Sequence, residues 1–436
     1  MKEVKVESLS RVERNGSIII IGFMFFIFGF ISWINAILIP YFKIAFELTN
    51  LRSYLVTFSF YISYFIMSLP ASALLNKVGF KRGMMIGFWI MSMGAFLFIP
   101  AAFTRTYSLF LMGLFTLGTG LAVLQTAANP YITMLGDPER AAQRISIMGI
   151  CNKGAGILAP LAFSAVVLKV ADAELLRSLP NMSTTLKNEI LGEFIARVIY
   201  PYAFVALVLF LVGLFIRYSF LPEIATSDNS MENTSMVNKK SILHFPHLVL
   251  GALAIFVHVG TQVISIDTII GYASSMNLTL LEAKAFPAYT LTSAIIGYLF
   301  GVVLIPRWIN QTKMLQLCTI LGLLFSICIL FLTQRVDWLQ HNVDVSIWFL
   351  VGLGAPNALI WAGIWPLALK GLGEYTKKGS ALLIMGLSGN AILPLVYGAL
   401  ADSFNARIAY VILTPCYLYL VFYAFCGYKI EKWFRI

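Results

Sequence analysis

The feature that most constrains this chain is a series of apolar runs, each about 20 residues long, separated by short polar loops. About 20 mainly apolar residues are what a helix needs to cross the hydrocarbon core of a bilayer. Apolar residues make up 59% of the chain and charged residues only 12%, which excludes an ordinary soluble domain. The sequence therefore predicts an all-α polytopic membrane protein with twelve spanning segments, at about 17–40, 52–75, 83–102, 107–134, 146–168, 200–221, 247–274, 285–306, 314–333, 345–369, 379–401 and 407–428.

The basic residues favour one orientation of these segments. When the N-terminus is placed in the cytoplasm, 20 of the 31 lysines and arginines fall on the cytoplasmic side. Lysine and arginine are enriched in cytoplasmic loops of membrane proteins. This bias accounts for the net charge of +11 without a nucleic-acid partner. We expect a multi-pass protein of a bacterial inner membrane with both termini in the cytoplasm.

Two long loops divide the chain. The polar stretch 221–246 is rich in Ser, Asn and Thr and follows the sixth segment, which predicts a cytoplasmic linker between an N-terminal six-helix bundle, 1–220, and a C-terminal one, 247–436. The outer loop 169–199 contains TTLKNEILGEFIARV, whose apolar residues recur at helical spacing. We expect a short surface helix there.

The two predicted bundles carry a short internal repeat. LGDPERAAQRISIMG begins at Leu135 and LGEYTKKGSALLIMG begins 237 residues later, at Leu372. Both copies lie between two spanning segments on the cytoplasmic side. A parallel repeat of six helices is typical of transporters with a binding site between the halves. At this offset Lys153 corresponds to Asn390.

Ionisable residues are rare inside the predicted segments. Lys153 in the fifth segment and Asp267 in the seventh are the deep cation and anion, and His258 adds a titratable ring. A buried charge is costly unless it is paired, so we expect Lys153 and Asp267 to form a structural or ion-coupling pair. Asp267 lies about 140° around an ideal helix from Gln262, so both face one cavity only if the segment is broken there.

Amide and tryptophan side chains recur across six segments. Amides donate and accept hydrogen bonds, and an aromatic ring packs against the apolar face of a sugar. The alternative is that the amides only hold helices together. The predicted substrate-binding set is Asn35, Gln125, Asn129, Asn152, Gln262, Asn357, Trp361 and Asn390.

Three stretches carry a family resemblance: FGFISWINAILIP, LQTAANPYITMLG and ICNKGAGILAP. With them the chain resembles the fucose–galactose–glucose symporter family of the major facilitator superfamily over nearly its whole length. NKVGFKRG, from Asn76, resembles in degraded form the basic loop of that superfamily. The resemblance implies a two-bundle fold, alternating access and a monosaccharide substrate, and it matches Asn152 with a sugar-contacting asparagine of fucose permeases.

The sequence departs from the fucose permeases at both carboxylates of their proton route. Ala36 and Gln125 stand where the fucose pattern has acids, and Gly149 stands where it has a glutamine. The chain looks closer to the glucose/galactose or N-acetylglucosamine branch, where the Asn-Lys pair and the segment-seven aspartate also occur. Lys153 is then expected to replace a bound cation, or Asp267 to bind sodium or a proton.

These observations predict a secondary active transporter of a neutral hexose, coupled to sodium or protons and functional as a monomer. A hexose uniporter and an exporter of a lipid-like or drug-like amphiphile remain alternatives. An intramembrane enzyme is disfavoured because aspartyl catalysis needs paired carboxylates, and a sugar sensor because no long soluble signalling domain is evident. We expect no catalytic residue, no resident metal and no cofactor.

Overall fold

The computed structural model describes residues 11–135, 141–169, 172, 175, 178–179, 182–222, 242–305, 308–372 and 375–433. Within these ranges, eleven stretches are long and apolar enough to cross a membrane, and the remaining predicted segment forms the 19-residue helix Phe286–Leu304. The predicted all-α membrane fold is confirmed. Three charged residues of the sequence repeat, Asp137, Arg140 and Glu374, and most of the predicted linker (223–241) lie outside the described residues.

The first half of the chain contributes ten described α-helices. They are α1 (Arg11–Trp33), α2 (Asn35–Ala45), α3 (Asn50–Ser53), α4 (Leu55–Val78), α5 (Phe80–Phe96), α6 (Phe98–Phe103), α7 (Tyr107–Met134), α8 (Ala141–Val167), α9 (Thr184–Ala196) and α10 (Ile199–Tyr218).

The second half contributes ten more among its described residues. They are α11 (Pro246–Asp267), α12 (Ile269–Ser275), α13 (Leu280–Ala283), α14 (Phe286–Leu304), α15 (Gln311–Phe331), α16 (Val345–Gly352), α17 (Gly354–Leu369), α18 (Thr376–Met385), α19 (Gly389–Ser403) and α20 (Leu413–Phe425). Short 3₁₀ turns at Gly386–Ser388 and Ile408–Ile412 extend α19 and α20 at their N-terminal ends.

Close helix pairs have equivalent places in the two halves. A Cβ atom on Gly29 of α1 would lie 2.0 Å from the carbonyl oxygen of Asn152 in α8, and one on Gly389 of α19 would lie 1.8 Å from that of Phe256 in α11. Asn152 and Gly389 are separated by the 237 residues of the sequence repeat. Small residues let membrane helices approach closely in this way, and the shared packing supports the predicted repeat.

One end of the molecule, which we call the hairpin end, carries the ordered loops. The predicted surface helix is confirmed as α9, which packs on α2 where the Tyr41 and Phe194 rings stack with centroids 4.3 Å apart. Strands β1 (Arg335–Trp338) and β2 (His341–Asp344) form an antiparallel hairpin between α15 and α16. This hairpin was not predicted from the sequence.

The two halves meet at the hairpin end through α3 and α19. The Asp402 carboxylate, at the end of α19, accepts hydrogen bonds from the backbone N–H of Asn50 and of Leu51 and from the Asn50 amide, at 2.7–2.8 Å. The ring of Tyr54 packs edge-on against Tyr397, with centroids 5.6 Å apart. This end is therefore closed between α3 and α19.

Candidate functional site

Trp33 links the first and fifth spanning segments. It ends α1, where the helix is interrupted at Ile34 before α2 begins. Its indole N–H donates a hydrogen bond of 3.1 Å to the side-chain oxygen of Asn152 in α8. The nitrogen of the same Asn152 amide donates to the backbone carbonyl of Phe25 at 3.4 Å. Asn152 is half-buried.

Gly156 makes room for this arrangement, one helical turn beyond Asn152. A Cβ atom at Gly156 would lie 2.4 Å from the Trp33 ring, so any side chain there would displace the indole. The close approach of the indole to α8 therefore requires a glycine at position 156.

Lys153 lies under the same indole. Its ammonium nitrogen is 4.0 Å from the centroid of the Trp33 ring, a cation–π contact, and the residue is only 6% exposed. The ion pairs of the described residues join Lys187 to Glu47, Arg197 to Asp172 and Arg335 to Asp344. Lys153 takes part in none of them.

Asp267 occupies a different environment. It is the last residue of α11 and is 1% exposed, and its Oδ2 accepts a hydrogen bond of 3.1 Å from the Thr57 hydroxyl of α4. Its Oδ1 is buried without a partner. The Thr57 contact joins the two halves of the chain.

The predicted ion pair between Lys153 and Asp267 is therefore wrong for this conformation. Each charge meets a neutral group on a different helix, Trp33 on α1 and Thr57 on α4. Helix α11 runs unbroken from Gln262 to Asp267 and is interrupted only after it, at Thr268, so these two side chains leave different faces. The ion-coupling role of both charges remains a prediction.

The other predicted residues are distributed over the interior. Gln125 donates to the Tyr64 hydroxyl at 3.0 Å, whereas Asn129, one turn further along α7, is exposed. Asn357 accepts a hydrogen bond of 2.8 Å from Tyr417 of α20, so it helps to hold the C-terminal half together. Trp361 stacks on Trp365 with centroids 5.2 Å apart.

Three further residues of the set are amides without a described side-chain hydrogen bond. Both polar atoms of Asn35 and the Oδ1 of Asn390 are buried without a partner, and Gln262 is half-buried. His258 is 1% exposed, its Nδ1 has no partner, and it lies within electrostatic range of Lys153. The structure brings Asn152 and Lys153 together on Trp33, and it shows no comparable contact among the remaining described members.

Trp33, Thr57 and Tyr64 were not predicted from the sequence as partners of the candidate residues. Trp33 had a usable signal, since it lies two positions before Asn35 in one of the family-like stretches. Thr57 and Tyr64 had none, because hydroxyl side chains are common in spanning helices and only the helix packing selects these two.

Comparison with known proteins assigns the fold to a family. The Major Facilitator Superfamily profile matches residues 21–390. A glucose/galactose transporter of Brucella abortus is 33% identical over 409 residues, covering 93% of this chain and 92% of its own. An L-fucose-proton symporter of Escherichia coli is 27% identical over 410 residues, covering 93% and 91%.

Solved structures agree with this match. The crystal structure of the superfamily transporter FucP in its outward conformation aligns with a TM-score of 0.69 at 27% identity, over 94% of this chain and 98% of that one. The resemblance seen in the sequence is thereby confirmed, as is the prediction of a transporter instead of an enzyme. The chain belongs to the major facilitator superfamily.

Proposed function

We propose that this protein is a secondary active transporter of a neutral monosaccharide, such as glucose, galactose or N-acetylglucosamine. The observation that carries the proposal is the half-buried Asn152 amide of the fifth spanning segment, held by Trp33. The names of the relatives, glucose/galactose transporter and L-fucose-proton symporter, support a sugar as the ligand.

A neutral ligand suits the groups around Asn152. The neighbouring groups are an indole, a backbone carbonyl and a lysine whose ammonium already faces the indole. Sugar hydroxyls both donate and accept hydrogen bonds, as amides do. A sugar acid needs a fixed cation with free N–H donors directed at it, and the Trp33 face occupies one side of Lys153.

Coupling to a cation is assigned to Asp267. Its Oδ1 is buried without a partner, and a buried carboxylate of this kind is stabilised by taking up a proton or a sodium ion. Lys153 supplies a fixed charge inside the N-terminal half. The transporter then lies in a bacterial inner membrane as a monomer, with the hairpin end outside and both termini in the cytoplasm.

The test is uptake of radiolabelled hexoses by purified protein in proteoliposomes, with sodium and pH varied independently. We expect glucose, galactose or N-acetylglucosamine to be accumulated under a sodium or a proton gradient, and Asn152→Ala to weaken the sugar affinity. Uptake that only equilibrates the sugar would indicate a uniporter. Transport of a sugar acid or an amphipathic drug, with no binding of neutral hexoses, would contradict the proposal.

A further inference from the structure

We propose that Trp33 is a positioning residue that sets the orientation of the Asn152 amide, and thereby selects which hydrogen-bonding groups Asn152 presents to the sugar. The inference rests on the proposed function, since it concerns the same ligand. It adds a residue outside the predicted substrate-binding set, on a different helix from Asn152.

Each of the two partners of the Asn152 amide can play only one role in a hydrogen bond. An indole N–H is a donor only, and a backbone carbonyl is an acceptor only. The Asn152 oxygen must therefore face Trp33, at 3.1 Å, and its nitrogen must face the Phe25 carbonyl, at 3.4 Å. A flipped amide would set N–H against N–H and oxygen against oxygen, so one orientation is selected.

In this orientation, some hydrogen-bonding positions of the Asn152 amide are left for the ligand. A side-chain amide has two acceptor positions on oxygen and two N–H donors. Trp33 uses one acceptor position and Phe25 uses one donor. Asn152 is left with one acceptor and one donor in fixed directions, which matches the paired donor and acceptor character of a sugar hydroxyl.

Trp33 is itself held in place on several sides. The residue is 4% exposed, the Lys153 ammonium covers its ring at 4.0 Å, and Gly156 leaves space for the ring and no more. The indole therefore cannot turn its N–H away without disturbing α8. A rigid donor of this kind is what orientation of a binding amide requires.

The experiment is a double-mutant cycle on sugar affinity with Trp33→Phe and Asn152→Ala, measured by binding and by counterflow with glucose and galactose. Phenylalanine keeps an aromatic face for Lys153 but removes the N–H donor. We expect Trp33→Phe to weaken binding by about 2- to 10-fold, the worth of one net hydrogen bond, with the maximal counterflow rate unchanged. In the Asn152→Ala background the same change should have no further effect.

The matched control is Trp89→Phe. Trp89 also lies in the N-terminal half, stacks on Phe210 with centroids 5.8 Å apart, and has no partner for its indole N–H. Its replacement removes an indole of the same bundle without removing a described hydrogen bond, so sugar affinity should be unchanged.

Unchanged affinity in Trp33→Phe, or an equal loss with and without Asn152, would overturn the inference. A second measurement needs no Asn152 variant: loss of amide orientation should change the ratio of glucose to galactose affinity, whereas an equal loss for both sugars would overturn the inference. If the unmodified protein binds no neutral hexose, it is the proposed function that fails.

Discussion

The two charges buried inside this transporter differ in where their partners lie along the chain. Lys153 is held within one half of the chain, since its ammonium lies on the Trp33 ring and both residues belong to the N-terminal helices. Asp267 is held across the boundary between the halves, because Thr57 of the N-terminal half donates to its carboxylate. One contact is internal to a bundle and the other joins two bundles.

The difference matters because alternating access moves one bundle against the other around a central site. A contact inside a bundle is carried along unchanged by that motion. A contact between bundles breaks when they separate at that depth. The Thr57 contact of Asp267 therefore depends on the conformation while the Trp33 contact of Lys153 does not. Asp267 is then the better candidate for the group to which a cation binds and from which it leaves during transport.

The largest effect is expected from Asp267→Asn. This change removes the charge but keeps an oxygen that Thr57 can bond, so sugar exchange by counterflow should persist while accumulation above the outside concentration is lost. Counterflow in proteoliposomes measures the sugar exchange, and uptake under an ion gradient measures the accumulation. The control is Asp337→Asn in the exposed β-hairpin, which should change neither. Accumulation by Asp267→Asn with unchanged sodium and pH dependence would make Asp267 structural.

Lys153→Met is expected to stabilise the protein while impairing accumulation. Burying an unpaired ammonium destabilises a protein by several kcal/mol, and the cation–π contact with Trp33 offsets only about 2 kcal/mol of this cost. Methionine should therefore raise the free energy of unfolding by about 1–3 kcal/mol. Thermal or denaturant unfolding in detergent measures this change.

Unfolding of the double mutant Lys153→Met/Asp267→Asn tests whether Lys153 and Asp267 form an ion pair. Because Lys153 and Asp267 meet different partners, the effects of Lys153→Met and Asp267→Asn should add to within about 0.5 kcal/mol. A double mutant whose change in the free energy of unfolding departs from the sum of the two single changes by clearly more than this would show that the two charges meet in another conformation.

A smaller effect is expected from Gly156→Ala. Its Cβ atom would lie 2.4 Å from the Trp33 ring, and overpacking of this kind costs about 1–3 kcal/mol. Sugar affinity should fall with it, because the indole must move away from Asn152. The matched control is Gly154→Ala, two residues earlier on the same helix, where a Cβ atom would meet nothing within 4 Å. Equal melting temperatures for the two variants would contradict the packing described here.

The fold was predictable because the bilayer leaves few choices. An apolar run of about 20 residues forms a helix in lipid, because a helix satisfies the backbone hydrogen bonds within the segment itself. The β-hairpin was not predictable, because its turn uses Leu339 and Gln340 at positive φ, of 50° and 64°, where Asn-Gly would be the recognisable signal.

The residue types of the candidate site could be predicted from the sequence, but the contacts between these residues could not. Lys153 and Asp267 stand out in the sequence because buried charges are rare, but which groups they meet depends on how the helices are rotated. The partners Trp33 and Thr57 lie more than 100 positions away along the chain. Asn357 was predicted to bind substrate, and its bond to Tyr417 shows that an amide of this kind also serves helix packing.

The smallest expected effect concerns the bonds that close the hairpin end. Asp402 accepts three hydrogen bonds from α3 in an exposed position, worth about 1 kcal/mol together. Asp402→Ala should therefore shift the population about fivefold towards states in which α3 and α19 are apart.

Distances between spin labels on Arg52 and Ser403, in a protein whose native cysteines have been replaced, test whether contacts between the halves belong to one conformation. Contacts within a half should persist in every conformation. We predict that Asp402→Ala lengthens the Arg52–Ser403 distances, while the distances from Arg52 to a label on Thr104 of the same half stay as they were. Unchanged Arg52–Ser403 distances in Asp402→Ala, or an equal change in both pairs, would contradict it.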